Sequence, residues 1–207
     1  ISADLNLTPA QSGSLVTWTL IGAVVGGIVF GALSDRYGRV RVLTWTIVLF
    51  AVFTGLCAIA QGYWDLLIYR TIAGIGLGGE FGIGMALAIE AWPAKHRAKA
   101  ASYVALGWQV GVLAAALLTP VLLPHIGWRG MFVVGIFPAF VAWYLRTRLH
   151  EPEIFSQKQS ALSTQKTSKL ESFKLLIKDK ATTKVSLGVV VLTSVQNFGY
   201  YGIMIWM

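Results

Sequence analysis

Two ionisable residues, Arg70 and Glu80, stand in a run from 66 to 91 that is otherwise apolar up to Glu90. On a helix, ten residues place them about 15 Å apart along the axis and about 80° apart around it. They are therefore no direct pair, and each needs a polar cavity or a partner on another segment. A guanidinium offers several N–H donors to a carboxylate. Desolvation disfavours a bare carboxylate, which suits proton exchange. Arg70 thus fits anion binding and Glu80 fits proton transfer, with a structural polar contact to another helix as the alternative for each. A second constellation is Asp35, Arg36, Gly38, Arg39 and Arg41, with Gly31 one turn upstream. Gly38 permits a tight reversal, and Asp35 can accept from backbone N–H groups and pair with the arginines. Such a cluster can latch helix bundles together on one side, or serve only as a positively charged turn. Glu90 and Arg97 flank Pro93 in a third charged turn. Trp108 with Gln109, and Gln196, Asn197 and Tyr200, combine amide hydrogen bonding with ring stacking. They suit the wall of a cavity for a polar solute or hydrogen bonds between helices. The remaining inventory excludes other chemistry. One cysteine, Cys57, and three widely separated histidines provide neither a disulfide framework nor a metal site. There is no nucleophile–base pair and no phosphate-binding glycine loop after a strand. The sequence therefore implies no enzyme, no metal and no cofactor.

The elements that must hold these residues follow from charge and hydropathy. Of the 207 residues, 56% are hydrophobic and only 13% are charged, against about 25% in a soluble domain. The bilayer is the expected solvent. Charge-free stretches run over 5–34, 42–64, 100–128, 130–145 and 185–207. Each is close to or above the roughly 20 residues that a helix needs to cross the hydrocarbon, the shortest being extended by Trp128 and snorkelling arginines. The segment 66–91 makes a sixth span. Backbone groups in lipid must be satisfied internally, so all six are expected to be helices. Thr8-Pro9-Ala10-Gln11 has the pattern of a capping box with proline at the first helical position. Pro93 is expected to stop the third span, and Pro120 and Pro124 to mark the end of the fourth. Fifteen of the 17 Lys and Arg residues fall in the turns at 34–41 and 93–99 and in the segment 146–184, with Arg129 opposite and Arg70 inside a span. That face is assigned to the cytoplasm. The net charge of +8 is then topology and not a nucleic-acid patch. The polar, Ser-, Thr- and Lys-rich segment 151–184 reads as a cytosolic linker, with a short amphipathic helix near 170–177.

The pattern Gly31-Ala-Leu-Ser-Asp35-Arg36-Tyr-Gly38-Arg39-Val-Arg41 resembles the signature loop of the major facilitator superfamily. It departs from that pattern at Val40, where a second basic residue is usual. Arg70 followed by Gly74, Gly76, Gly78 and Gly79 resembles the family's fourth helix. Glu90-Ala-Trp-Pro93 with Arg97 resembles the turn after it. The resemblance implies a partial helical bundle of that family, covering helices two to seven of twelve. One helix would precede Ile1 and several would follow Met207. Residues 1–150 would form helices 2–6 of the N-terminal bundle, 151–184 the central cytosolic loop, and 185–207 the first helix of the C-terminal bundle. It also implies that Gly31, Asp35, Arg36, Gly38, Arg39, Glu90 and Arg97 form a cytosolic gate network. Trp108, Gln109, Gln196, Asn197 and Tyr200 would then border the central cavity. The fifth family helix lacks the glycine-proline motif of drug antiporters.

Gly79-Glu80-Phe81-Gly82, Glu90-Ala-Trp-Pro93, Gly127-Trp128-Arg129-Gly130-Met131-Phe132 and His150-Glu151-Pro152-Glu153 look like the sialate and cis,cis-muconate proton symporters. The related metabolite:proton symporters are also close. The resulting expectation is a multi-pass inner-membrane transporter, monomeric at full length, that takes up a small organic-acid anion with protons by alternating access. A sugar or other neutral-solute porter of the same fold is the first alternative. A membrane bundle that transports nothing is the second.

Overall fold

The computed structural model describes residues 1–2, 4–147 and 180–206, and these form two units divided within the segment left undescribed. The first unit holds α1 (Pro9–Tyr37), α2 (Arg39–Cys57), α3 (Tyr63–Ala91), a single 3-10 turn (Ala94–His96), α4 (Arg97–Val134) and α5 (Ile136–Thr147). The second holds α6 (Lys180–Trp206). No strand occurs among the described residues. The expected amphipathic helix near 170–177 lies outside them.

Local sequence sets the helix ends. Thr8 closes a full capping box on α1: its Oγ1 accepts from Gln11 N–H at 3.2 Å, and Gln11 Oε1 accepts from Thr8 N–H at 2.9 Å. α3 ends at Ala91, where Trp92 and Pro93 adopt extended ψ angles of 146° and 147°. The fourth span differs from expectation, because α4 runs straight through Pro120 and Pro124. A proline removes one helical hydrogen bond, which a membrane helix tolerates where neighbours re-satisfy the backbone. The break comes instead at Gly127, whose φ of 62° and ψ of 179° suit glycine alone. Trp128 then starts a further helical stretch that continues through Gly135 into α5.

Among the described residues four stretches are long and apolar enough to cross a membrane: α1, α2, α3 and Ala94–Tyr144, which contains the expected fourth and fifth spans. The 27-residue α6 is long enough for the sixth, but it is not among these four. It is already helical at Lys180, ahead of the expected start at 185.

Helix α3 is the hub. It packs on α1 and on α2, while α2 also packs on α5. The α1–α3 contact is a dovetail of glycines. A Cβ on Gly22 or Gly26 of α1 would strike the carbonyls of Thr71 or Ile75, and one on Gly74 or Gly78 of α3 would strike those of Thr19 or Ala23. Small residues at such crossings let backbones approach closely, which drives helix association in lipid. Gly82, on the same face by spacing, meets nothing within 4 Å, so the dovetail stops one turn earlier than the glycine spacing indicates.

Two apolar clusters hold the ends. Toward the α1–α2 corner, Val40, Val42, Leu43 and Ile47 pack with Ile83, Leu87 and Ala139. At the other end, Leu15, Cys57, Ala60 and Leu66 pack with Leu5, Leu7 and Phe132. A polar clasp closes this second end. Trp128, only 8% exposed, donates its indole Nε1–H to Asp4 Oδ2 at 2.6 Å. Arg129 stacks 4.6 Å from the Trp128 ring and donates to the Ala60 carbonyl at 3.3 Å. Trp128→Phe keeps the ring and deletes the donor. It is expected to lower the unfolding free energy in detergent by about 1 kcal/mol, since the exposed Asp4 carboxylate regains water. Chemical unfolding followed by circular dichroism measures this.

Candidate functional site

The α1–α2 reversal uses one residue. Gly38, with φ 101° and ψ 144°, ends α1 and opens α2. That conformation brings Arg39 back against the end of α3. Its Nε donates to Glu90 Oε2 at 2.6 Å and its Nη2 to Glu90 Oε1 at 3.0 Å, a two-pronged carboxylate grip. Nη2 also lies 3.1 Å from Asp35 Oδ1, and Nη1 donates to the Ser34 hydroxyl at 3.2 Å. Arg39 and Glu90 are largely covered, with side chains 16% and 18% exposed, whereas Asp35 is open. Ser34 is fully buried, and the sequence reading missed it. A serine one helical turn before the end of α1 carries no distinctive pattern.

The expected gate network thus contracts. Asp35, Arg39 and Glu90 come together around Gly38. Arg36 is exposed and rests 5.4 Å from the Tyr37 ring, and Arg97 is exposed at the start of α4. No ion pair joins Arg97 to Glu90 among the described residues. Gly31 gives a hydrogen bond to the site, its carbonyl accepting from the Ser34 hydroxyl at 2.7 Å. The grip joins the α1–α2 corner to α3, all within the first unit. Val40, the departure from the signature pattern, is buried in the core. An apolar residue belongs at a position that points inward.

The interior charges occupy the remaining arc of α3. At 100° per residue, Gly74 and Gly78 face α1, Gly76 and Ile83 face α2, and Gly79 lies between Thr46 of α2 and Phe30 of α1. Arg70 and Glu80 share the third arc. Arg70 is half-buried, with its guanidinium carbon 5.0 Å from the centre of the Phe132 ring, a cation–π contact. Among the described residues no carboxylate lies within ion-pair distance of it. Glu80 is half-buried and makes interactions of its own. Beside it on α3, Phe81 meets Trp108 of α4 edge-to-face, with ring centres 6.2 Å apart. Both rings are exposed, at 51% and 42%.

Of the expected cavity residues, Trp108 is brought against α3 at Phe81, one residue on from Glu80 and about 100° around the helix from it. Gln109, next along α4, is exposed and turned about 100° from it. In α6, Gln196 and Asn197 are exposed, and Asn197 Nδ2 donates to the Thr193 carbonyl at 2.9 Å. Tyr200 falls in α6, but its side chain lies outside the described ones. Phe81 and Phe132 are additions: both rings sit in apolar runs where sequence alone does not separate wall from core. No group of three or more potential metal ligands occurs among the described residues.

A membrane-embedded helical bundle, dovetailed on glycines and carrying ionisable groups on one helix face, has the architecture of a solute carrier. The chain belongs to the Major Facilitator Superfamily, whose family model matches residues 1–207. It is 88% identical, over its whole length, to 51% of a Haemophilus influenzae protein named only for metabolite transport. It is 34% identical, again over its whole length, to half of the cis,cis-muconate transport protein of Acinetobacter baylyi. The proton:xylose symporter XylE of E. coli has a similar fold, with a TM-score of 0.66 and 26% identity over 76% of this chain and 39% of that one. The chain spans about half the length of the curated relatives it matches.

Proposed function

We propose that the protein is a secondary transporter of the inner membrane that takes up a small organic-acid anion together with protons by alternating access. The observation that carries this reading is Arg70. A charge at bilayer depth is expensive and marks a functional path by default, and no described carboxylate neutralises this one. Phe132 holds the guanidinium in place by its ring face and leaves the N–H donors for an anion. Glu80, on the same arc of α3, is the proton carrier in this scheme. Its protonation removes a charge from the site and favours closure around the loaded substrate. Trp108 with Phe81 lines one side. Gln109 is the polar candidate on α4, and Gln196, Asn197 and Tyr200 are the polar candidates on α6. The Arg39–Glu90–Asp35 grip holds the cytoplasmic end of the bundle together while it rocks. Residues 1–150 form most of the N-terminal bundle, 151–184 the connecting loop, and 185–207 the first helix of the second bundle, in a protein that works as a monomer.

The muconate transporter's name supports an organic acid. The likeness to XylE favours a second reading, a neutral sugar moved with protons. Uptake separates them. Sealed vesicles holding the full-length protein, given an inward proton gradient, are expected to concentrate a labelled carboxylic acid and not labelled glucose or xylose. Arg70→Gln is expected to lower acid uptake at least about 100-fold, the equivalent of losing a charged hydrogen-bonding partner worth roughly 3 kcal/mol. Arg70→Lys, which keeps the charge but not the fork, is expected to retain part of it. Accumulation of a sugar with none of the acids would select the second reading.

A further inference from the structure

The corner between α3 and α4 carries Lys95, His96, Arg97 and Lys99 within five residues, and both lysines are exposed. Among the described residues no carboxylate pairs with them. Glu90, the nearest carboxylate along the chain, is turned into the grip of Arg39, and neither lysine has an ion-pair partner among the described residues. Next to the lysines two rings pair in the open: Trp92, 42% exposed, and Tyr103, 62% exposed, have centres 6.3 Å apart. Further along, the surface turns aliphatic. Lys99, Tyr103, Leu106 and Val110 recur at four-, three- and four-residue steps, which is one face of α4. They span about 16 Å of axis, half of the roughly 30 Å hydrocarbon core. Trp108 points the other way, to Phe81 on α3. From the cytoplasmic end inward this face presents cations, then amphipathic rings, then aliphatic side chains.

We propose that this face binds an anionic phospholipid of the cytoplasmic leaflet, with its phosphate between Lys95 and Lys99. The headgroup linkage rests against Trp92 and Tyr103, and one acyl chain lies along Leu106 and Val110. The order of side chains with depth matches the order of groups in a lipid, and the uncompensated charge selects a net negative headgroup. A zwitterionic lipid brings its own cation and loses that advantage. A free phosphate would leave the ring pair and the aliphatic stripe unused. The site also borders the end of α3, so the bound lipid sits against the corner that carries the Arg39–Glu90 grip.

The test uses the full-length protein in lipid discs containing either brominated phosphatidylglycerol or brominated phosphatidylcholine. The Trp92 signal is the difference between the protein and its Trp92→Phe variant. Trp92 quenching is expected to half-saturate at a mole fraction about 25-fold lower for phosphatidylglycerol, since each of the two lysines contributes roughly a fivefold preference. Lys95→Gln with Lys99→Gln is expected to bring the two lipids within about twofold of each other, while Lys99→Arg keeps the preference. Exchanges on an exposed surface leave folding intact, which matched elution profiles verify. Equal quenching by both lipids, or a preference that survives the double exchange, would overturn the assignment. So would loss of the preference on adding soluble glycerol phosphate, which would give the site to a free phosphate.

Discussion

Gly78→Leu is expected to abolish folding of the helical unit. The added Cβ would enter the Ala23 carbonyl group of α1, with the Ala23 Cα 2.7 Å away. These are backbone atoms, so no side chain can swing aside. Even Gly78→Ala forces α1 and α3 apart along the whole dovetail, because Gly22, Gly26 and Gly74 face the opposite backbone in the same way. Overpacking in a tight core costs about 1–3 kcal/mol, and here the displaced group is a helix. The alanine variant is therefore expected to lose about 3 kcal/mol or more. Gly82→Ala, one turn on, meets nothing within 4 Å. It is expected to be neutral or to gain up to about 1 kcal/mol from lower chain entropy. Denaturant titration in mixed micelles, read by circular dichroism and by elution as a single species, distinguishes the pair. Equal stability of the two alanine variants would refute the dovetail.

The second large effect is expected at the grip on Glu90. Glu90→Gln removes the charge that faces Arg39 and leaves a largely covered guanidinium with weaker partners, Ser34 and the open Asp35 among them. Breaking a fully buried pair costs about 3–5 kcal/mol. Partial exposure of both partners reduces this to about 2 kcal/mol. Arg39→Gln is expected to cost a similar amount. The double variant should cost much less than the sum, because each single change strands a charged partner. A double-mutant cycle on unfolding free energies measures the coupling, expected at about 1.5–2 kcal/mol. A coupling near zero would mean that the two residues do not hold the corner. The same cycle with Arg97 in place of Arg39 is expected to show none.

The sequence showed the bundle through its charge gaps, because a helix in lipid leaves no choice of secondary structure and charges are confined to its ends. The capping box at Thr8 and the stop at Pro93 were equally plain, since both are local. The end of the fourth span was misread for a related reason. Prolines break helices in water, whereas in a membrane Gly127, with its freedom at positive φ, makes the turn. The candidate site was legible where a charge stands in an apolar run, as at Arg70 and Glu80. The same reasoning found the charged turn but not the pairing within it. Arg36 and Arg97 have the right type and spacing, but whether an arginine grips Glu90 depends on the direction that Gly38 gives the chain. Ser34, Phe81 and Phe132 were invisible for the opposite reason. A serine in a helix and a phenylalanine in an apolar segment become site residues only through what packs across from them.

The most direct test of the central claim follows internal pH in sealed vesicles that hold the full-length protein. Muconate, sialate, lactate, benzoate and glucose are added in turn from outside, with and without Glu80→Gln. One organic acid is expected to acidify the interior as it enters, and Glu80→Gln to abolish this proton movement in a protein that still folds. Acid uptake with no pH change, or acidification that Glu80→Gln leaves untouched, would contradict the proposed coupling through Glu80.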